Sequence, residues 1–518
     1  MNDPEFISIF NDVLGPVMRG PSSSHTAGSY HIARVSRALL GEEPDSAALT
    51  FDLDGSYAAT FSQQSADKAF AAGLMGWDLT DERFGRSLDL AAEQGLSLKF
   101  KIAALERADH PNSVKIDLSG RKGGAIHLLA KSTGGGGFLI QQLEAWPVAI
   151  DGKSFETYLL MDRNDTAGIE RILDASGGTA RLSEGLLQEA VLLRLRGSEP
   201  MTQSERPALE RESGAKKIWS TSPVFYPRMG PPLFDSAATM VRFAEDANLS
   251  LGQAALEYEA RLLGLAAKDV MKEMMRRFGI MAAAVEQGLH DENVKMKLLR
   301  PSAGRVLDAE KAGRLAVGGP HARAAGRALA ALHISNSGGV VCAAPTGGSS
   351  GVIPGVMVTL AEDRALDSDR VGLALLAAGA IGLIIARRAT FAAEVAGCQV
   401  EIGAAGAMAA AAVVEAAGGS PRQAANAAAI TLQNSMGSVC DLVQGLCEIP
   451  CHTRNAVAAS SAFVCADLIM GGYLNPVPLD ETIDAVFASG RMLPPELLCT
   501  AQGGLAVTPS ALAMKPRA

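Results

Sequence analysis

No basic run occurs anywhere in this 518-residue chain, and 47 Lys and Arg against 56 Asp and Glu leave a net charge of -9. Binding nucleic acid requires a basic face to neutralise phosphates, so that class is excluded. No uninterrupted apolar stretch reaches the ~20 residues that cross a bilayer. The longest, Val371 to Ala386, is rich in Ala and Gly and is closed by Arg387 and Arg388, so it reads as a buried helix and no membrane partner is expected. The N-terminus, MNDPEFISIF, lacks the basic n-region and long h-region of a secretory signal, and a cytoplasmic location is expected. There is no paired CxxC knuckle, and the cysteine count of seven is odd. Both facts speak against a disulfide framework and for free thiols, catalysis or metal binding.

What is present is a chain that is 48% hydrophobic and 20% charged, the reverse of the disorder signature. Its length corresponds to two to four domains at about 100–200 residues each. The expected class is α+β, an N-terminal mixed α/β domain followed by an all-α domain. Over residues 1–165, short, partly alternating segments bounded by Gly, Asp, Asn or Pro read as strands: Ala47 to Leu53, Ser97 to Ile102, Ser113 to Leu118, Ala125 to Ala130 and Phe138 to Leu143. Gly28 to Leu40 and Ala66 to Gly76 read as helices. Residues 166–234 read as a linker, polar and then proline-rich, with a helix near Leu182 to Leu195. Residues 235–518 are helical nearly throughout, with Ser236 to Glu245, Gln253 to Leu262, Ala267 to Gly288 and Ala322 to Ile334 at helical spacing. Past residue 370 the helices are apolar on most faces and belong at the centre of the helical domain.

Six of the cysteines fall in the span from Cys398 to Cys499. Cys398, Cys440 and Cys451 each lie beside a Gly- or Pro-punctuated segment that adjoins an apolar helix, where backbone amides can donate to sulfur. A small buried thiol in an Ala-rich core is the alternative for each. If the thiols are ligands, the metal is one that favours thiolates, zinc or an iron–sulfur cluster. Cys440, Cys447, Cys451 and His452 make a possible zinc set, although they lack the usual knuckle spacing. Three cysteines around a cubane would instead leave one iron without a thiolate, a Lewis acid able to take a hydroxyl and a carboxylate.

The longer motifs carry a resemblance. AAPTGGSSGVIPGV (Ala343 to Val356), EVAGCQVEIG around Cys398, VCDLVQGLCEIPCHTRN (Val439 to Asn455) and TAQGGLAVTPS (Thr500 to Ser510) resemble the α-domain of iron–sulfur L-serine dehydratases. GPVMRGPSSSHTAG (Gly15 to Gly28), LDGSYAAT (Leu53 to Thr60) and STGGGG (Ser132 to Gly137) resemble the β-domain of the same family. The resemblance implies a [4Fe-4S] cluster on Cys398, Cys440 and Cys451, an amino-acid substrate and a homodimer. The implied reaction removes the Cα proton and the hydroxyl of L-serine, giving pyruvate and ammonium, a step in amino-acid catabolism that feeds gluconeogenesis. Ser22, Ser23, Ser24 and Thr26 of SSSHT, with Thr346, Gly347 and Gly348 of the Gly-rich loop, are the implied substrate donors, although Ser and Thr also cap helices with no ligand present. Arg454 and Asn455 are expected beside the cluster.

The chain departs from the family at several points. Gln64 stands where the β-domain has a histidine favoured as general base, and an amide accepts no proton at neutral pH, so His25 becomes the expected base. Leu442, Gln444 and Cys447 alter the surroundings of Cys440. Cys499 is the only counterpart of the terminal cysteine found in some members, and with Cys342, Cys447 and Cys465 it is expected to be dispensable for cluster assembly. The stretch after Leu160 does not read as the regulatory ACT module that some members carry. Two other functions fit the same residues: the same lyase chemistry on another β-hydroxy or β-thiol amino acid, or a non-catalytic cluster protein acting as a sensor.

Overall fold

Alternating burial along Pro44 to Gly120 creates the first sheet, because every second side chain must leave water. The computed structural model describes residues 6–175, 180–183, 189–199, 209 and 213–517. Its strands are β1 (Val17–Arg19), β2 (Pro44–Asp52), β3 (Ser97–Ala103), β4 (Ser113–Gly120), β5 (Ala125–Gly134), β6 (Gly137–Leu143), β7 (Trp146–Ile150), β8 (Phe155–Asp162), β9 (Ala180–Ser183), β10 (Ala190–Gly197), β11 (Lys217–Thr221) and β12 (Val340–Cys342). Six of them form a sheet in the order β3-β2-β4-β5-β6-β7, antiparallel except for the β2–β3 pair. Ala47, Leu49 and Phe51 of β2 are buried in one core with Ile32 and Val35 of the helix Gly28–Leu40 and Phe70 of the helix Ala66–Met75. This mixed α/β region and the helical region after it bear out the α+β class.

The span read as a linker is different. β8, the helix Thr166–Ala175, β9, β10 and β11 form a second sheet in the order β11-β8-β10-β9, a ferredoxin-like arrangement among the described residues. The helix expected near Leu182 to Leu195 is replaced by the strands Ala180–Ser183 and Ala190–Gly197, and a separate α/β unit stands after residue 154 where none was expected. The reason lies in two-sided burial. Val191 and Leu193 pack with Leu159, Met161, Ile169 and Ile172 on one face, whereas Ala190 and Leu192 join the core of the six-stranded sheet on the other. A strand buried on both faces is a continuous apolar run, and periodicity cannot tell it from a helix.

From Ala237 the chain is helical apart from β12 and short turns. The helices Ser368–Arg388 and Ile402–Ala416 run through its centre, and Ala and Gly dominate where they meet. Ser368–Arg388 and Cys398–Ala416 are long and apolar enough to cross a membrane by length and composition, and 78% and 89% of their apolar windows are buried within the fold, as in core helices.

The first residues belong to this helical core rather than to the sheet. Phe10 and Val13 are buried in it, and the Glu259 carboxylate accepts from Ser8 Oγ (2.5 Å), Ile9 N and Phe10 N (both 2.9 Å). β1 then pairs antiparallel with β12, Val17 opposite Cys342. This clasp sets the loop after β1 against the Gly-rich loop after β12, where the candidate site forms.

Candidate active site

Ser22 begins the loop as a cap. Its Oγ accepts from His25 N at 3.2 Å, so the capping role and a place in the site coexist. His25 is fully buried, with Nε2 2.9 Å from Thr60 Oγ1 and Nδ1 3.1 Å from Ser24 Oγ and 3.4 Å from Ser22 Oγ. The Thr60 hydroxyl donates its one proton to Ser56 O at 2.8 Å, so it accepts from His25, which assigns the proton to Nε2 and leaves the lone pair on Nδ1. Burial holds the imidazole below its usual pKa, opposed by Glu394, whose Oε1 is 3.6 Å from Nδ1. Ser24 Oγ donates its one proton to Glu394 Oε1 at 2.5 Å and so donates none to Nδ1. Not every hydroxyl of the loop is available: Thr26 Oγ1 donates to Gln64 O at 3.1 Å and ties the loop to the sheet domain.

Glu394 also accepts from Asn112 Nδ2 at 3.3 Å. Burial alone raises its pKa, but His25, Ser24 and Asn112 together hold the carboxyl below the usual range. Nearby Glu401 goes the other way. Burial raises it to about 7; the Thr346 hydroxyl, 2.6 Å away, lowers it, the charge of Glu394 raises it further and Arg454 opposes that rise. Two carboxyls on one short segment are thus held in different protonation regimes.

Thr346 opens the Gly-rich loop, and its glycines are required by contact. A Cβ on Gly347 would lie 2.9 Å from both Pro21 O and Ser23 N, and one on Gly348 would lie 2.7 Å from Glu401 Oε1. The two loops of the sequence analysis therefore touch. Asn455, fully buried in the first turn of the helix Cys451–Met470, fixes the Gly-rich loop by donating to Gly348 O (2.9 Å) and accepting from Gly351 N (3.1 Å).

The three expected ligand cysteines gather beside these loops. Cys440 lies within hydrogen-bonding reach of Cys398 and Cys499, contacts that with burial push its thiol well up, and Cys447 is in reach of Cys451 with the same effect. Arg454 Nη1 is 3.5 Å from Cys398 Sγ and 2.7 Å from Val439 O, and Nη2 is 2.9 Å from Asp441 Oδ1. Asp441 Oδ2 accepts from Leu505 N at 2.8 Å, fastening the GGLAV segment over the thiols. All seven cysteines are free and buried, and Cys342 and Cys465 lie elsewhere, near Leu14 and Thr431 respectively.

Cys447 and Cys499 do not lie apart from the site, although the sequence reading set them aside. Both face the amide of Gln64, with Cys499 Sγ 3.9 Å from Nε2 and Cys447 Sγ 3.9 Å from Oε1. Cys499, at φ 66°, donates from its backbone N to Cys440 O, and Cys440 N donates to Leu497 O, both at 2.8 Å.

Five thiols converging beside a guanidinium are a donor set suited to a thiophilic centre. Among the described residues, no three His, Cys, Asp or Glu side chains close to the spacing of a single metal ion. That speaks against the zinc set, and His452 is turned elsewhere, with Nδ1 2.9 Å from Glu448 O and its ring 5.3 Å from that of His333.

Glu394, Glu401, Asn112 and Thr60 were not singled out from the sequence. The signal for the two glutamates was present: EVAGCQVEIG places two carboxylates in an Ala-rich, buried stretch, where charge is rare without a partner. Asn112 and Thr60 gave no such signal, since their partners lie 282 and 35 residues away.

Two parts of the chain match known families. Residues 246–506 match the family described as serine dehydratase alpha chain, and residues 12–92 match serine dehydratase beta chain. The chain is 35% identical over 278 residues to the probable L-serine dehydratase alpha chain of Bacillus subtilis, covering 54% of this chain and 93% of that one. It is 37% identical over 164 residues to the probable beta chain of the same organism, covering 32% and 71%. With the L-serine dehydratase of Streptomyces coelicolor it shares 29% identity over 517 residues, 97% of this chain and 98% of the other. Matched along nearly all of its length, the chain belongs to the serine dehydratase family, its beta-chain and alpha-chain parts joined in a single polypeptide.

Proposed function

We propose that this chain is a lyase that converts L-serine to pyruvate and ammonium, with a [4Fe-4S] cluster held by Cys398, Cys440 and Cys451. The observation that carries the reading is the meeting, in one buried place, of a histidine–serine–glutamate network with five thiols. When bound, the cluster supplies a Lewis-acidic iron for a poor leaving group and a carboxylate.

The chain's own residues account for the remaining work. The SSSHT loop offers hydroxyl and N–H donors to an anionic carboxylate. His25 is neutral and holds its lone pair on Nδ1, next to Ser24 and Glu394, so it can take a proton whose charge the ionised Glu394 carboxylate offsets. Glu401, with its pKa raised to about 7, is a second group able to carry a proton at neutral pH. Arg454 places positive charge against Cys398. Gln64, between Cys447 and Cys499, can only donate and accept weak hydrogen bonds and shapes the pocket.

The proposed enzyme is a cytoplasmic homodimer, which light scattering and cell fractionation test directly. The function itself is tested by anaerobic purification, iron analysis and a keto-acid assay on L-serine, L-threonine and L-cysteine. About four irons per chain and turnover of L-serine are expected. Iron with no turnover of any of the three would leave the sensor reading standing. Cys398→Ser, Cys440→Ser and Cys451→Ser are each expected to lose the iron, and full retention in any one removes that cysteine from the ligand set.

A further inference from the structure

Asn112 is fully buried in the loop before β4, and every polar group it carries is accounted for except one. Its N–H donates to His110 Nδ1 at 3.1 Å, its C=O accepts from Ser132 N at 3.1 Å, and Nδ2 donates to Glu394 Oε1 at 3.3 Å. The side-chain oxygen Oδ1 is buried without a partner. Its orientation is not arbitrary: an ionised carboxylate only accepts, so the NH2 end faces Glu394 and the oxygen is left over. A buried acceptor without a donor is costly, and such an atom in a native fold needs an explanation.

The surroundings define that group. Glu394 is held ionised, and Glu401 adds a second carboxyl whose field reaches Glu394. An incoming carboxylate is repelled from this corner. A neutral hydroxyl would bring one proton to a region with several acceptors. An alkylammonium brings three donors and a positive charge, and it matches an amide oxygen beside a carboxylate. We infer that Asn112 Oδ1 and Glu394 form the receptor for the α-ammonium group of the substrate. This inference rests on the amino-acid lyase reading above and assigns the corner of the site that makes the substrate an amino acid rather than a hydroxy acid.

The test uses anaerobically prepared full-length holoenzyme and compares L-serine with 3-hydroxypropionate, which keeps the carboxylate and hydroxyl and lacks the amine. Asn112→Leu is expected to raise KM for L-serine about ten- to a hundredfold, as loss of a hydrogen bond to a charged group does, with iron content unchanged and the inhibition constant of 3-hydroxypropionate within about twofold of wild type. Asn112→Asp keeps an acceptor at the same place and adds negative charge, so it is expected to raise the ratio of the 3-hydroxypropionate inhibition constant to the L-serine KM. This second variant carries the test if the leucine variant fails to fold. Equal weakening of both ligands in Asn112→Leu, an unchanged KM, or a fall of that ratio in Asn112→Asp overturns the inference and leaves Asn112 as a prop for Glu394. A wild-type enzyme that turns over no amino acid sinks the function reading instead, an outcome visible before any variant is made.

Discussion

His25 illustrates how a single ring is prepared for proton transfer. Thr60 fixes the tautomer from one side, burial keeps the ring neutral, and Glu394 lies 3.6 Å from its free nitrogen. His25→Ala is expected to lower kcat by roughly 10²–10⁴-fold with iron content intact, measured by single-turnover kinetics and iron assay on the same sample. A rise in KM alone, with kcat unchanged, would make His25 a positioning residue. Solvent exchange of the substrate Cα hydrogen should slow with kcat, because the same proton is moved in both.

The critical element is the Gly-rich loop between β12 and the helix Val352–Asp363, which carries Thr346 to Glu401 and packs against the SSSHT loop. Its shape is held by Asn455 from another helix. Asn455→Ala leaves the buried Gly351 N–H and Gly348 C=O without that partner, an expected loss of about 1–3 kcal/mol and a raised KM. Thermal unfolding and steady-state kinetics on one preparation check both. Gly348→Ala tests the contact from the other side. The added methyl falls on Glu401 Oε1, so the carboxyl must move, and kcat should fall more than Tm does.

At the scale of the molecule, stability is expected to decline in mild acid. His31, buried in the helix Gly28–Leu40 with Nδ1 2.8 Å from Gly136 O, has its pKa lowered by burial from 6.5 to about 4. The folded chain refuses a proton that the unfolded chain accepts. Stability from this site is therefore intact above pH 6.5 and is lost as pH falls toward 4, on the order of 2 kcal/mol by pH 5. His31→Asn, which keeps a donor to Gly136 O and does not titrate, should show a smaller fall in Tm between pH 7 and pH 5 than wild type. Equal falls in both proteins would locate the acid sensitivity elsewhere.

The sequence by itself determined the helices and strands whose periodicity is one-sided, among them Gly28–Leu40, Ala267–Gly288 and β2 to β6, because alternation of apolar and polar residues is a local property. It also determined the chemistry on offer: three cysteines beside glycine and proline punctuation, a serine-rich loop and a Gly-rich one. Only the tertiary structure decided which groups meet. Glu394 sits 370 residues from Ser24, and Cys499 and Cys447 sit 435 and 383 residues from Gln64, distances over which no sequence pattern reports contact. The α/β unit around β8 to β11 was hidden for a related reason, since burial on both faces erases the period that marks a strand. Burial also set the protonation of His25 and Glu401, and the contacts from His25, Ser24 and Asn112 set that of Glu394, because a side chain's pKa follows from what surrounds it in space.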